Sequence, residues 1–276
     1  MGLVHVKGDT WCVESATTVP FYKLNEHEIV LLDSGYAVPD RAVFDRLFAA
    51  EGLRVAAIIG THSHIDHNGN HAYFQKKDGA QIVLQNLEAA IAYDLQMVRT
   101  AYFTATPAEI EQYFSSVVVR ADKTFTKDDM AVKVCGVPFG LLPLPGHTPG
   151  HTGIITPDNV LYVGDTLMDE ETMKAAKMPS SMNWADDLES KRRLRDVTCD
   201  RYVLAHRGVF GSIHDLIDKN IADRMRRAEQ IASPLDTPMT LSELEGALWT
   251  SCCLHTKRVP HIVMFRRSLR CALDYL

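Results

Sequence analysis

The chain has 276 residues, of which 46% are hydrophobic, and a formal net charge of -6. This length and apolar content suffice for one large core, or for a core with a small helical appendage, and they leave no room for a second enzyme domain. Because neither charge sign forms long runs, the acidic balance argues against nucleic acid as a partner.

The cysteines and the apolar runs indicate where the protein works. Its six cysteines show no CxxC spacing, which is typical of reduced thiols and predicts a cytoplasmic location. No apolar run approaches the length of a membrane-spanning helix, and the first residues lack the pattern of a signal peptide. We therefore expect a soluble, unprocessed protein that has no membrane partner.

The N-terminal part of the chain predicts a sheet that leads into a β-α-β unit. Short β-rich runs separated by turn residues between residues 3 and 35 predict an antiparallel meander. A helix is expected over 39–50, with Ala50 on its buried face and Asp40 directed outward. A buried strand over 54–60 follows, so the next loop lies at the carboxyl end of a strand, where sites of α/β proteins tend to lie.

That loop carries four candidate metal ligands within six residues: His62, His64, Asp66 and His67. Donors this closely spaced on a tight loop can converge on cations without help from distant segments. Alternation brings the side chains of His62 and His64 to the same side, while Asp66 and His67 continue around the bend toward a second cation. The competing interpretation is a solvated, histidine-rich loop.

The segment after the loop predicts helices that could border a site. His71 is expected on the solvated face of a helix start, since most single histidines on helices bind nothing. Two helices are predicted within 86–116, the second beginning with a capping box at Thr106. Tyr102 and Phe103, in the connection, either line a cleft or pack the two helices together.

Three later β-rich runs each deliver an imidazole or a carboxylate to a loop tip. These residues are His147, Asp165 and His206. His151, four residues after the first of them, is expected to be structural. The methionine-rich stretch over 168–184 either lines an adaptable pocket or packs in the core.

The C-terminal quarter predicts amphipathic helices over 212–232, 240–252 and 260–276. The first of them is expected to begin with a cap at Ser212. The only linker-like stretch starts at residue 234, so we predict a catalytic domain over 1–233 and a helical extension packed on it over 234–276. These helices could pack on the core, close a cleft or mediate a homodimer.

The motifs together resemble those of a known family. The stretch Thr61-His62-Ser63-His64-Ile65-Asp66-His67-Asn68-Gly69 is similar to the HxHxDH signature of the metallo-β-lactamase fold superfamily. Its other motifs recur in order between residues 32 and 207, as LDSG, PGHTPGH, GDT and AH. The resemblance implies an α/β fold: a four-layer αββα sandwich with a C-terminal helical segment. It specifies the fold more strongly than the substrate.

The resemblance also implies a ligand set. His62, His64 and His147 would hold one metal, and Asp66, His67 and His206 would hold a second. Asp165 would bridge the two, and Asp33 would brace the histidine loop by hydrogen bonds without binding metal. The cofactors implied are two divalent metal ions, with zinc first and iron or manganese as alternatives. Asp66 is also assigned as the catalytic residue, beside a metal-bridging hydroxide that cleaves the substrate.

The reaction implied is cleavage of an ester-type bond in a small molecule: a thioester, a lactone or a phosphoester. The bridging aspartate is similar to that of the glyoxalase II branch, but the basic, glutathione-recognising tail has no counterpart. Met168 stands where acyl-homoserine lactonases have tyrosine. Arg207 replaces a usually small residue and either pairs with an anionic substrate or lies in solvent.

Two alternatives come from other functional classes. One is a persulfide dioxygenase-like oxidoreductase, which holds a single iron on the same loop. The other is a metal-bearing binding protein without turnover, which the intact ligand set disfavours. His64 argues against a flavodiiron oxygen reductase, because those proteins carry glutamate at that position.

Overall fold

The computed structural model describes residues 2–102, 105–176, 178–256 and 258–276. Phe103, for which the sequence leaves open either cleft lining or helix packing, lies outside the described residues.

Within these ranges the strands form two sheets, one seven-stranded in the order β1-β2-β3-β4-β5-β6-β7 and one six-stranded in the order β13-β12-β11-β10-β9-β8. The first sheet is antiparallel from β1 to β4 and parallel from β4 to β7. The strands of the first sheet are β1 Leu3–Lys7, β2 Thr10–Glu14, β3 Thr18–Lys23, β4 Glu28–Leu32, β5 Arg54–Ile59, β6 Gln81–Gln85 and β7 Lys123–Phe125. Those of the second sheet are β8 Ala131–Val134, β9 Val137–Pro143, β10 Thr152–Ile155, β11 Val160–Tyr162, β12 Arg201–Val203 and β13 Val209–Phe210.

The helices connect the strands and follow them. They are α1 Asp40–Ala50, α2 His71–Asp78, α3 Asn86–Ala92, α4 Leu95–Ala101, α5 Pro107–Phe114, α6 Glu170–Ala175, α7 Trp184–Arg193, α8 His214–Ala232, α9 Leu241–Ser251 and α10 Val259–Tyr275. None of the helices among the described residues is both long enough and apolar enough to cross a membrane.

The core lies between and outside the two sheets, which gives four layers. Val30 and Ile59 of the first sheet pack against Phe139 and Ile154 of the second. On the outer face of the first sheet, Phe44, Phe48 and Phe74 of α1 and α2 cover the other side of the strands. Leu194 and Ile217 pack on the outer face of the second sheet against Leu161 of β11 and Tyr202 of β12. The αββα sandwich predicted from the sequence is confirmed.

Several local predictions were wrong. Ala50 is exposed, and Asp40 is fully buried because its carboxylate accepts hydrogen bonds from the backbone N–H groups of Ala16 and Tyr36 at 3.0 and 2.8 Å. The region 86–116 contains three helices, because α3 ends at Ala92 and the Asp94 side chain caps the start of α4. Helix α8 starts at His214, and no side chain caps it.

The C-terminal helices pack on two different parts of the fold. Leu244 and Leu248 of α9 and Phe265 and Leu269 of α10 form a cluster with Trp184 of α7. Val263 of α10 packs instead in the cluster formed by α4 and α5. The domain boundary at residue 234 stays a prediction, but α10 spans the gap between α4–α5 and α7–α8.

Candidate metal centre

The predicted ligands lie on loops at the ends of strands. The 62–67 loop follows β5, Asp165 follows β11 and His206 follows β12, while His147 lies in the turn after β9. Because these strands end at the same edge of the two sheets, residues far apart in sequence meet there. The structure brings together all seven side chains that the sequence predicted: His62, His64, Asp66, His67, His147, Asp165 and His206.

They form two clusters that share one residue. The first cluster is His62, His64, His147 and Asp165, and the second cluster is Asp66, His67, Asp165 and His206. Within each cluster, the candidate ligand atoms all lie within 4.8 Å of one another. This is the division of ligands that the resemblance implied.

Asp165 joins the clusters through its two carboxylate oxygens. Oδ2 lies 3.3 Å from Nε2 of His147 in the first cluster. Oδ1 lies 3.1 Å from Nε2 of His67 and 3.4 Å from Nε2 of His206 in the second cluster. Asp66 completes the second cluster, with Oδ2 at 3.3 Å from Nε2 of His206. A carboxylate in this position can bind a cation on each side.

Asp33 braces the histidine loop, as the resemblance implied. It follows β4 with a positive φ of 67°, and its carboxylate accepts hydrogen bonds from the backbone N–H and the hydroxyl of Thr61 at 2.7 and 2.8 Å. Its Oδ2 also lies 2.7 Å from Nδ1 of His67. That contact places a proton on Nδ1 and leaves Nε2 of His67 facing the second cluster. Burial lowers the pKa of His67, but Asp165 and Asp66 raise it well above the usual value, so a cation bound at Nε2 would displace a proton.

Other contacts orient the remaining imidazoles of the first cluster. Nδ1 of His147 lies 3.0 Å from the backbone oxygen of Ser180, and its Nε2 lies 2.8 Å from Nδ1 of His64. On the far side of the His64 ring, Nη2 of Arg267 lies 3.3 Å from Nε2. His147 therefore turns Nε2 toward the cluster, and His64 turns Nδ1.

Unpartnered atoms test whether the clusters fit metal ions. Among the described residues, Nε2 of His62, Nε2 of His67 and Oδ1 of Asp165 are buried without an aligned hydrogen bond. Buried polar atoms nearly always have a partner, so their grouping here fits cations placed between them. Imidazole nitrogens and carboxylate oxygens are also the donors that zinc, iron and manganese accept.

The pKa shifts differ between the two clusters. Burial lowers the pKa of His62 and of His64 well below the usual value, so both rings are neutral and able to bind metal at neutral pH. Burial opposes ionisation of Asp165, but His67 and His206 hold its pKa well below the usual range. The second cluster thus presents ionised carboxylates that attract positive charge.

Two neighbouring histidines serve the site indirectly. His71 was predicted to be solvated, but it is fully buried, with Nδ1 at 2.7 Å from the Ser34 hydroxyl behind the ligand loop. His151 is also buried, and its Nε2 accepts a hydrogen bond from the backbone N–H of Asp165 at 3.1 Å. The structural role predicted for His151 is confirmed: it holds the loop that carries Asp165.

Glu88 was not identified from the sequence. Its fully buried carboxylate accepts hydrogen bonds from the backbone N–H groups of Ser63 and Gly150, at 2.8 and 2.9 Å, and from the Thr148 hydroxyl at 2.7 Å. It therefore ties the 62–67 loop to the loop that carries His147. A glutamate in the first turn of a predicted helix gives no local signal of such a role.

Replacing Glu88 by alanine should lower the free energy of unfolding by about 3 kcal/mol or more, because three buried donors lose their acceptor. Chemical denaturation measures this loss, and elemental analysis should show reduced metal content. Glu111→Ala, at an exposed position on α5, is the control and should behave like the original protein. A Glu88→Ala protein as stable as that control would contradict the bracing role.

A cavity of about 1090 Å³ opens onto both clusters. Tyr102 lines it and also packs against Phe114 of α5, with ring centroids 4.5 Å apart, so the two roles considered for this residue are combined. Met168 and Met178 of the methionine-rich stretch line it as well. Arg207 forms an exposed ion pair with Glu171, which favours the solvent position among the two alternatives considered for it.

Comparison with known proteins bears on this fold and site. A family model described as the metallo-beta-lactamase superfamily matches residues 17–206, more than half of the chain. The chain belongs to the metallo-β-lactamase superfamily. The matched residues include strands β3 to β12 and every candidate ligand, so the superfamily match covers the site as well as most of the sandwich.

Individual relatives are more distant. The chain is 24% identical over 205 residues to a 2,4-dinitroanisole O-demethylase subunit alpha from Nocardioides sp. (strain JS1661), covering 73% of this chain and 56% of the relative. It is 28% identical over 116 residues to hydroxyacylglutathione hydrolase GloC from Haemophilus influenzae (strain ATCC 51907 / DSM 11121 / KW20 / Rd), covering 42% and 51%. The chain thus spans about half the length of these two curated relatives.

A solved structure shows the same superfamily fold. A metallo-β-lactamase family protein from Thermus thermophilus has a TM-score of 0.67 at 23% sequence identity, with 94% of this chain and 88% of that chain covered. The coverage extends beyond the residues that the family model matches. The metallo-β-lactamase fold of the chain is therefore shown by sequence and by structure.

Proposed function

We propose that the protein is a hydrolase that uses two divalent metal ions, zinc first among them, to cleave an ester-type bond of a small molecule. The bond would be a thioester, a lactone or a phosphoester. The observation that carries the proposal is the position of Asp165, whose two oxygens face different clusters of ligands.

The roles of the residues follow from their contacts. His62, His64 and His147 would hold one ion, Asp66, His67 and His206 the other, and Asp165 both. Two divalent ions bound there would lower the pKa of water and polarise the bond to be cleaved. Asp33 and the backbone oxygen of Ser180 fix which ring nitrogen faces the site.

Asp66 is the proposed catalytic residue. Its carboxylate lines the cavity while Oδ2 contacts His206, so it lies between the second cluster and the space open to substrate. A carboxylate so placed can accept a proton from an attacking water as well as bind a cation. The relative named a hydroxyacylglutathione hydrolase supports a thioester as the first substrate to try.

The test combines metal analysis with a substrate panel. Purified protein should contain about two equivalents of zinc or manganese, as binuclear sites of this ligand type do. It should hydrolyse at least one member of a panel of hydroxyacyl thioesters, lactones and phosphodiesters. Activity should disappear after chelation and return when zinc is added back.

Two results would contradict the proposal. One is hydrolysis that survives complete removal of metal. The other is a single equivalent of iron together with oxygen uptake that depends on a persulfide, which would identify the dioxygenase alternative.

A further inference from the structure

A group of buried charges lies in the wall of the catalytic cavity, outside the two ligand clusters. Asp187 and Lys191 of α7 and Arg224 of α8 are 2%, 3% and 4% exposed. Nζ of Lys191 donates to Oδ1 of Asp187 at 2.5 Å, and Nη2 of Arg224 lies 3.0 Å from Oδ2. Two cations therefore share one carboxylate.

One positive charge is left over in this group. Nη1 of Arg224 has no hydrogen-bond partner among the residues that the structure describes, although the guanidinium lies over the ring of Trp184 at 4.5 Å. Burial and then Arg224 lower the pKa of Lys191 to about 8 against the effect of Asp187, so the lysine is mostly protonated at neutral pH. A buried cation without a counter-charge is costly, and such a charge is usually paired or binds a ligand.

A third cation extends this excess along the same wall. Arg267 of α10 is 1% exposed and forms no ion pair with any described residue. Its guanidinium lies 4.7 Å from the centre of the Tyr102 ring, and Nη2 lies 3.0 Å from the Ser180 hydroxyl. Both of these partners line the cavity. Arg267 therefore adds a positive charge behind this part of the cavity lining.

The cavity connects this charged wall to the metal centre. Lys191 and Arg224 line the same space as His147 and Asp165. The rest of its lining is mainly apolar, including Ile65, Phe114, Met178, Val259 and Met264. A ligand that reaches from the clusters to Lys191 and Arg224 would need an apolar middle and an anionic end.

We propose that Lys191 and Arg224 form an anion-binding subsite, and that the substrate is an apolar ester-type compound carrying a carboxylate or phosphate group away from the bond to be cleaved. This inference rests on the proposed function. A purely structural tie between α7 and α8 would need one cation for the one carboxylate of Asp187. The second cation, Arg224, lines the cavity and has a buried Nη1 without a hydrogen-bond partner among the described residues, so an anionic group of a ligand could supply the missing counter-charge.

The test measures binding and needs no turnover. Calorimetry on the metal-loaded protein would compare 4-phenylbutyrate, 3-phenylpropylphosphonate and the neutral 4-phenylbutyramide. At least one anion should bind about tenfold or more tightly than the amide, the gain of one charge-assisted contact. Whichever anion shows the preference identifies carboxylate or phosphate as the recognised group.

Variants locate the preference. Arg224→Gln should remove the preference for anions while leaving amide binding unchanged. Lys191→Met leaves Arg224 paired with Asp187, so this variant should fold and should also lose the preference. Arg226→Gln, an exposed arginine on the same helix, is the control and should keep the preference. Equal binding of anions and amide by the original protein would overturn the proposal, as would a preference that persists in Arg224→Gln or Lys191→Met. Because binding is measured, the outcome is independent of whether any ester is hydrolysed.

Discussion

Asp165→Ala should reduce the metal content from about two equivalents to about one or less, and it should lower kcat by at least about 100-fold. The reason is that Asp165 is the residue shared by both clusters, with oxygens 3.3 Å from Nε2 of His147 and 3.1 Å from Nε2 of His67. Its removal takes a ligand from each ion at once. Elemental analysis of dialysed protein and steady-state kinetics on the best substrate of the panel measure the two effects.

The control for this change is Asp128→Ala, since Asp128 is exposed in a turn and is not among the residues that line the cavity. It should retain full metal content and activity. If Asp165→Ala also kept two equivalents of metal, Asp165 would have no part in binding them, and the assignment of the shared carboxylate would have to be abandoned.

Asp187→Asn should lower the free energy of unfolding by about 3–5 kcal/mol, because it leaves two buried cations without their shared counter-charge. Lys191→Met should not lower the free energy of unfolding. Because it removes the excess cation, we expect a stability equal to or above that of the original protein. Urea denaturation of the two variants, both loaded with metal, provides the comparison.

The contrast between these variants is what tests the charge imbalance. A conventional ion-pair network would be destabilised by either change. Loss of stability of about 3 kcal/mol or more in Lys191→Met would therefore show that both cations are needed for folding, and an Asp187→Asn protein as stable as the original would show that the group is not energetically significant.

Much of the site could be predicted because its ligands follow a short local pattern. The spacing of His62, His64, Asp66 and His67 places donors on one loop, and a strand precedes each distant ligand. The four layers followed from the same resemblance. Two helices rather than three were predicted within 86–116 because Asp94, which caps α4, cannot be distinguished from a polar surface residue before its hydrogen bonds are seen.

The residues that were missed depend on contacts between distant segments. Glu88 and Asp40 are polar side chains on helices, and periodicity alone assigns such residues to solvent. Both are buried, because backbone N–H groups of other loops donate hydrogen bonds to their carboxylates. Asp187 and Lys191 have the i, i+4 spacing of a solvated helix pair. Only the packing of α8 against α7, which adds Arg224, shows that the pair is buried and carries excess charge.

Helix α10 also bears on the order in which the protein assembles. It contacts α4–α5 through Val263 and α7–α8 through Phe265 and Leu269. Part of the cavity wall is therefore formed by a helix that is synthesised after all the ligand-bearing loops. During synthesis the ligand loops can meet before α10 completes the cavity wall, and contacts at such long sequence separation form slowly. Metal ions would thus have access to the ligands of the nascent protein before α10 packs over the cavity.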